Sequence, residues 1–269
     1  MAAVVLERSM IDSHTHLNHS DFEQDFDSII QRALDAGITR MVNIGFDLGS
    51  SRETVALVKK YPFMDGAVGV HPHDARTYND EVEVELSELL ASPGVLAVGE
   101  IGLDYYRDLS PRDLQRDVFQ RQLGLARRAG KPVIIHCRDA FDDVISILRA
   151  EGPPWQGIFH AFTGDAEMAG TVLDLGFHIG IGGVVTFRKS NLGQVVAGLP
   201  AESIVLETDC PYLTPAPFRG KRNEPSYLTY VVEKIAETTG RSGDSITETT
   251  TRNFADAMGL DDLDGAAKE

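Results

Sequence analysis

One pattern constrains the fold of this chain more than any other. A short apolar or β-branched run is followed by a helical stretch, and the pair repeats eight times. The runs are Met10 to His14, Met41 to Gly45, Gly66 to His71, Val95 to Glu100, Pro132 to His136, Gly157 to His160, Phe177 to Gly180 and Ile204 to Asp209. Each has the length of a buried strand rather than of a helix. The segments between them carry helical spacing and helix-terminal signals. Asp21 to Ala36 stops at Gly37, Ser50 to Lys60 before Pro62, and Glu81 to Leu90 before Pro93. Ser110 followed by Pro111 predicts a cap and a proline at the first helical position, opening a long helix that ends near Gly130. Asp139 to Ala150, Asp165 to Leu175, Ser190 to Gly198 and Pro225 to Thr239 follow, with an extra helix over Ser245 to Met258. Strands that each hand over to a helix pair in parallel through right-handed crossovers. Eight such units close on themselves, so the expected fold is α/β, a TIM-type (β/α)8 barrel. No linker or change of composition divides the chain, so residues 1–260 are expected to form one domain, with 261–269 a disordered acidic tail. An open doubly wound sheet is the rival, but neither type of Gly-rich phosphate loop is present.

Such a barrel gathers the carboxyl ends of its strands on one face, where active sites are built. His14 and His16 close the first run, and two residues apart in a strand they point the same way. Glu100, His136, His160 and Asp209 end later runs, so four imidazoles and two carboxylates converge from distant parts of the chain. One catalytic zinc takes three protein ligands and a water. Six candidates instead suit two divalent ions sharing a carboxylate. Glu100 is the natural bridge, having two oxygens where a neutral imidazole has one free nitrogen. Asp209 is the candidate to accept a proton from the attacking water, and Glu207, two residues earlier, is its neighbour on the same face or a packing partner. His71, flanking Pro72 with His73, is placed to hydrogen-bond a substrate phosphate; Arg138 offers a guanidinium fork to phosphate or pairs with Asp139 or Asp142. Asn223 reads first as a helix cap and second as a substrate contact. Asp104 and Tyr105 either orient Glu100 or line the cleft; Arg107, Arg112 and Arg116 with Arg219, Lys221 and Arg222 are a possible basic rim or solvated helix charges.

The formal net charge of −16 excludes a passive nucleic-acid coat, whose affinity would come from neutralising many phosphates. It does not exclude an enzyme that engages phosphate through bound metal ions and a few arginines. Two cysteines, Cys137 and Cys210, are too few for a disulfide framework and are expected to be core thiols in a reducing, cytoplasmic setting. Ala2 to Leu6 is too short for a signal-peptide core, and no stretch is long enough to span a membrane. No obligate protein partner is indicated.

Seven segments together resemble the TatD family of metal-dependent deoxyribonucleases, within the amidohydrolase-like barrels. They are D-S-H-T-H-L from Asp12, G-V-H-P-H-D from Gly69, G-E-I-G-L-D-Y-Y from Gly99, P-V-I-I-H-C-R-D-A from Pro132, F-H-A-F-T-G-D from Phe159, E-T-D-C-P-Y-L from Glu207 and R-N-E-P from Arg222. The resemblance implies the same barrel, a divalent-metal centre and cleavage of phosphodiester bonds in DNA or a short nucleic acid, with exonucleolytic action the expected mode. It carries the family's metal positions onto His14, His16, Glu100, His136, His160 and Asp209. Histidine-rich ligation favours zinc or manganese on softness, whereas the family is commonly assayed with magnesium. The alternative is hydrolysis of an amide, lactone or cyclic amide. Binuclear enzymes of that kind often bridge their metals with a modified lysine, and the corresponding position here is Glu100.

Overall fold

The computed structural model describes residues 9–261, so the expectation of a disordered tail lies, apart from Asp261, outside the described residues. The strands are β1 (Met10–Thr15), β2 (Ile38–Ile44), β3 (Met64–Val68), β4 (Val95–Asp104), β5 (Val133–Arg138), β6 (Gly157–Phe159), β7 (His178–Ile181) and β8 (Ile204–Leu206). All pair in parallel in sequence order, as one sheet. The ring closes just past β8, where the Asp209 amide donates to His14 O and the His16 amide to Cys210 O, both at 2.9 Å. The expected (β/α)8 barrel is the fold observed.

Between and after the strands lie α1 (Phe26–Asp35), α2 (Leu48–Lys60), α3 (Asp80–Leu90), α4 (Arg112–Ala129), α5 (Phe141–Glu151), α6 (Ala166–Asp174), α7 (Leu192–Gly198), α8 (Leu228–Thr239) and α9 (Gly243–Met258). Local chemistry explains where the boundaries depart from expectation. Helix α2 starts two residues early because Asp47 and Ser50 form a reciprocal capping box. The stretch expected from Asp21 is a 3-10 turn at Ser20–Phe22, and α1 begins only at Phe26. Another 3-10 turn, Pro225–Tyr227, precedes α8. Ser110 does not cap α4: Pro111 occupies the capping position, and the Ser110 hydroxyl donates to His73 O at 2.8 Å.

Strand alternation sorts the core into two layers. Met41, Val68, Ile135 and Leu206 face the helices. Val42, Ala67, Ala97, Ile134, Ile158 and Val205 fill the lumen against Phe254 and Met258 of α9, which packs on β1, β6 and β8 at their amino-terminal ends. The lumen floor is therefore apolar and closed. Continuing the alternation upward, Ile134 leads to His136, Ile158 to His160, and Val205 to Glu207 and Asp209, so the polar residues emerge together at the carboxyl-terminal mouth.

Candidate metal centre

Glu100 lies inside β4 rather than at its end, at a register irregularity between Val98 and Ile101. Beyond the irregularity β4 continues along β5 to Asp104, which requires a close approach at Gly102. There φ is +144°, and a Cβ would stand 1.9 Å from His136 O, so only glycine fits. This geometry carries the Glu100 carboxylate, 3% exposed, to the middle of the mouth.

The two oxygens of Glu100 face two different groups. Oε2 lies 3.5 Å from His14 Nε2 and 3.7 Å from His16 Nε2. Those nitrogens are 3.2 Å apart, and Asp209 Oδ1 stands 3.7 and 3.4 Å from them. Ligands held about 2.1 Å from a tetrahedral ion are about 3.4 Å from one another, so His14, His16 and Glu100 have close to the spacing of a metal site, and Asp209 stands near that distance from both imidazoles. Oε1 lies 2.6 Å from His136 Nδ1, 2.7 Å from His160 Nε2 and 3.5 Å from His71 Nε2. His14, His16 and Glu100 form one compact group able to hold an ion, and His71, Glu100 and His136 another. All six residues expected to be ligands converge here.

Neighbouring groups set which ring nitrogen is free. His136 turns Nε2 to Asp104 Oδ2 at 3.2 Å, leaving Nδ1 for the Glu100 side. Asp104 also bonds His73 Nε2 at 2.9 Å and accepts from the Arg107 amide at 2.7 Å. Burial opposes its charge, yet these bonds to the imidazoles and the amide hold its carboxyl far below the usual carboxylate range. Histidine metal ligands are commonly oriented by a carboxylate in this way. His71 differs. Its Nδ1 accepts from the His73 amide at 3.0 Å, so a neutral ring carries its proton on Nε2. Burial, with the nearby His136, keeps that ring neutral by pushing its pKa well below the ordinary histidine value. His71 therefore presents a donor to the cleft, as a phosphate contact requires.

Beneath the mouth are two carboxyls the sequence left without a firm role. Asp12 is fully buried, accepts from the Thr208 amide and hydroxyl at 2.9 and 2.6 Å, and has its pKa pushed up by burial to about 7. It ties β1 to the strand that closes the ring. Its place in D-S-H-T-H, two before His14, was the available signal. Glu207 accepts from the Ala161 amide at 2.6 Å, while Oε2 is buried with no hydrogen-bond partner among the described residues, and His160 Nδ1 lies 3.9 Å from Oε1. Burial, reinforced by Asp209, raises Glu207 to about 8. Gly180 leaves it room: a Cβ there would stand 2.3 Å from Oε2.

The remaining candidates divide. Arg138 is exposed at the rim, with its guanidinium carbon 3.9 Å from the Tyr106 ring centre, and makes no ion pair among the described residues. Asn223 is not brought to the cleft. It is fully buried, donates to Thr208 O and Tyr212 O at 2.8 and 2.7 Å and accepts from the Glu224 amide at 3.0 Å, so its amide is consumed by the loop after β8 and caps no helix. Arg112 and Arg116 pair with Asp108, Asp113 and Asp143, and Arg222 with Asp25, which removes them from a free basic rim. Both cysteines are free thiols, and burial raises each, Cys137 to about 12. Among the described residues no helix is long and apolar enough to cross a membrane.

The chain is similar to known proteins along most of its length. The family described as TatD related DNase matches residues 11–259. The chain is 42% identical over 246 residues to the "Uncharacterized metal-dependent hydrolase YabD" of Bacillus subtilis, covering 91% of this chain and 96% of the relative. It is 38% identical over 239 residues to the "3'-5' ssDNA/RNA exonuclease TatD" of Edwardsiella piscicida, covering 84% and 90%. The crystal structure of YJJV, a TatD homolog from Escherichia coli, superposes with a TM-score of 0.89 at 31% identity, covering 93% of this chain and 98% of that one. With a family match across the whole barrel and these relatives, the chain belongs to the TatD related DNase family and is a metal-dependent hydrolase.

Proposed function

We propose that this protein is an exonuclease that removes nucleotides from the end of single-stranded DNA or RNA, using two divalent ions. The observation that carries the reading is the division of Glu100, one oxygen toward His14 and His16 and the other toward His136 and His160. His14, His16 and Asp209 would hold one ion, His136 and His160 the other, with Glu100 shared. Ions there would lower the pKa of water and offset the charge of the phosphoryl group. The donor set is rich in imidazole, which favours zinc or manganese over magnesium.

The chain's own residues supply the rest. Asp209 accepts the proton of the attacking water; its backbone, held at φ +56°, turns the carboxylate into the mouth immediately after β8. His71 donates from Nε2 to a non-bridging phosphate oxygen. Arg138 attracts the phosphate at the rim, where the overall charge of −16 otherwise repels it. Asp104 holds the His136 ring in its ligating orientation, and Glu207 lies behind His160. Phosphodiester rather than amide or lactone hydrolysis is supported by the exonuclease-named relatives and by the residue that would be shared between the ions, Glu100, being a carboxylate and not a lysine. Two free thiols support a cytoplasmic location.

The test is digestion of an end-labelled single-stranded oligonucleotide by metal-stripped enzyme reloaded with each ion. Stepwise shortening from one end, with about two ions bound per chain at full activity, is expected. Activity on lactones or dihydropyrimidines with none on the oligonucleotide would reverse the assignment.

A further inference from the structure

Five large apolar side chains are exposed among the described residues: Leu34, Val84, Tyr106, Leu109 and Tyr212. Leu34 and Val84 lie on helices α1 and α3. Tyr106, Leu109 and Tyr212 instead follow β4 and β8, at the mouth. Tyr212 is 52% exposed, with its ring centre 5.9 Å from that of His16 and 6.0 Å from that of His19. Tyr106 is 60% exposed and lies under Arg138, two residues beyond His136. One exposed tyrosine therefore stands beside each half of the Glu100-centred cluster.

Both tyrosines stand on or next to hydrogen-bonded backbone. The Tyr212 amide donates to Asp209 O at 2.8 Å, and its carbonyl accepts from buried Asn223 at 2.7 Å. Next to Tyr106, the Tyr105 amide donates to Arg138 O at 2.9 Å. Tyr105 itself is different, because Arg112 covers its ring and its hydroxyl donates to Asp143 at 2.6 Å. Its neighbour Tyr106 has no such hydroxyl partner among the described residues. Arg138 over Tyr106 has no competing carboxylate among the described residues, so it offers a flat cationic face above a flat aromatic one.

Exposed aromatic rings and planar guanidinium groups beside a phosphate-cleaving centre are the features on which unpaired bases stack. We infer that Tyr212 and the Tyr106–Arg138 pair are stacking platforms for the nucleobases on either side of the scissile phosphate. The inference rests on the exonuclease reading and adds what that reading lacks, the source of single-strand selectivity. A base can lie on either platform only when it has left its own stack, which a duplex resists. Because every base has a π-face, these platforms tolerate any sequence.

The test compares a short deoxyoligothymidylate with the same oligomer in which the bases flanking the cleaved bond are replaced by abasic sites. Tyr106→Ala and Tyr212→Ala are expected to raise KM for the base-bearing oligomer about ten-fold or more, the scale of alanine substitutions at stacking positions. On the abasic oligomer they should change KM less than about two-fold. Tyr106→Phe and Tyr212→Phe keep the ring and should remain within about two-fold of wild type on both. Equal effects of the alanine variants on the two oligomers, or none on either, would overturn the stacking role and leave the exonuclease reading standing. A wild-type enzyme that cleaves neither oligomer would overturn that reading and the stacking role with it.

Discussion

At the scale of single residues, the mouth separates groups that bind from groups that orient. Asp209→Asn keeps the size and one oxygen of the side chain but removes the charge and the capacity to take a proton. We expect kcat to fall about 100-fold or more, the scale of general-base catalysis, with KM little changed in steady-state assays of oligonucleotide cleavage. Asp104 is buried beside His136, its side chain 1% exposed. It fixes His136 through Nε2, so Asp104→Ala should weaken ion binding about 10- to 100-fold, as loss of an orienting carboxylate does elsewhere. Competition with a chromophoric chelator measures this directly. An unchanged metal affinity would reduce Asp104 to a loop anchor for His73 and Arg107.

Among elements, two junctions hold the mouth in shape. The first is the extension of β4 along β5 past Glu100, made possible by Gly102. Gly102→Ala would meet both a backbone conformation closed to side chains and a contact 1.9 Å from His136 O. A loss of at least about 2 kcal/mol in urea unfolding is expected, since strained backbone alone costs 1–3 kcal/mol. The second junction joins α1 to the loop after β8, where Arg32 donates twice to Glu224, at 2.8 and 2.7 Å. Burial raises the Glu224 carboxyl, but Arg32 and the Ser226 hydroxyl outweigh it and leave the pKa below the ordinary glutamate value. With the folded value below the unfolded one, the stabilisation is present above the unfolded pKa and is lost as pH falls through the folded pKa. Arg32→Ala should cost about 1 kcal/mol near neutrality, because the arginine is partly exposed and its pair is screened. It should also flatten the loss of stability on acidification, read as the urea midpoint against pH. An unaltered acid slope would assign that slope to other carboxyls.

For the molecule as a whole, the lumen is divided into an apolar floor and a polar mouth. Four imidazoles and two carboxylates packed at 2.6–3.7 Å at the mouth are better satisfied around cations than alone. Ions that bind only the folded barrel stabilise it by mass action, about 2.7 kcal/mol at a hundred-fold excess over Kd. Stripped protein should therefore gain several degrees in Tm on addition of manganese or zinc. A His136→Ala, His160→Ala double variant should fold, bind one ion fewer and gain less, with turnover lower by orders of magnitude. Full phosphodiesterase activity in that variant would rule out the two-ion arrangement.

What the sequence determined by itself was periodic: eight runs of strand length, each handing over to a helix, and ligand-type residues where those runs end. Strand alternation and parallel pairing are local rules, so they were enough to predict the barrel and to bring His14, His16, Glu100, His136, His160 and Asp209 to one face. Boundaries were less legible, because caps such as the Asp47–Ser50 box and the register irregularity at Glu100 are decided by one or two hydrogen bonds. Tertiary structure alone decided the chemistry of individual atoms. A sequence names an imidazole but not which nitrogen is free. That choice was made by Asp104 for His136 and by the His73 amide for His71. It also drew Asn223, a polar residue in a plausible site motif, into the protein to hold the carbonyls of Thr208 and Tyr212, while leaving Tyr106 and Tyr212 in solvent. The His71 tautomer is set two residues away, but that of His136 depends on a group distant in the chain, just as Asp12 pairs with Thr208, 196 residues apart. No local pattern encodes such pairs; they exist only once the ring has closed.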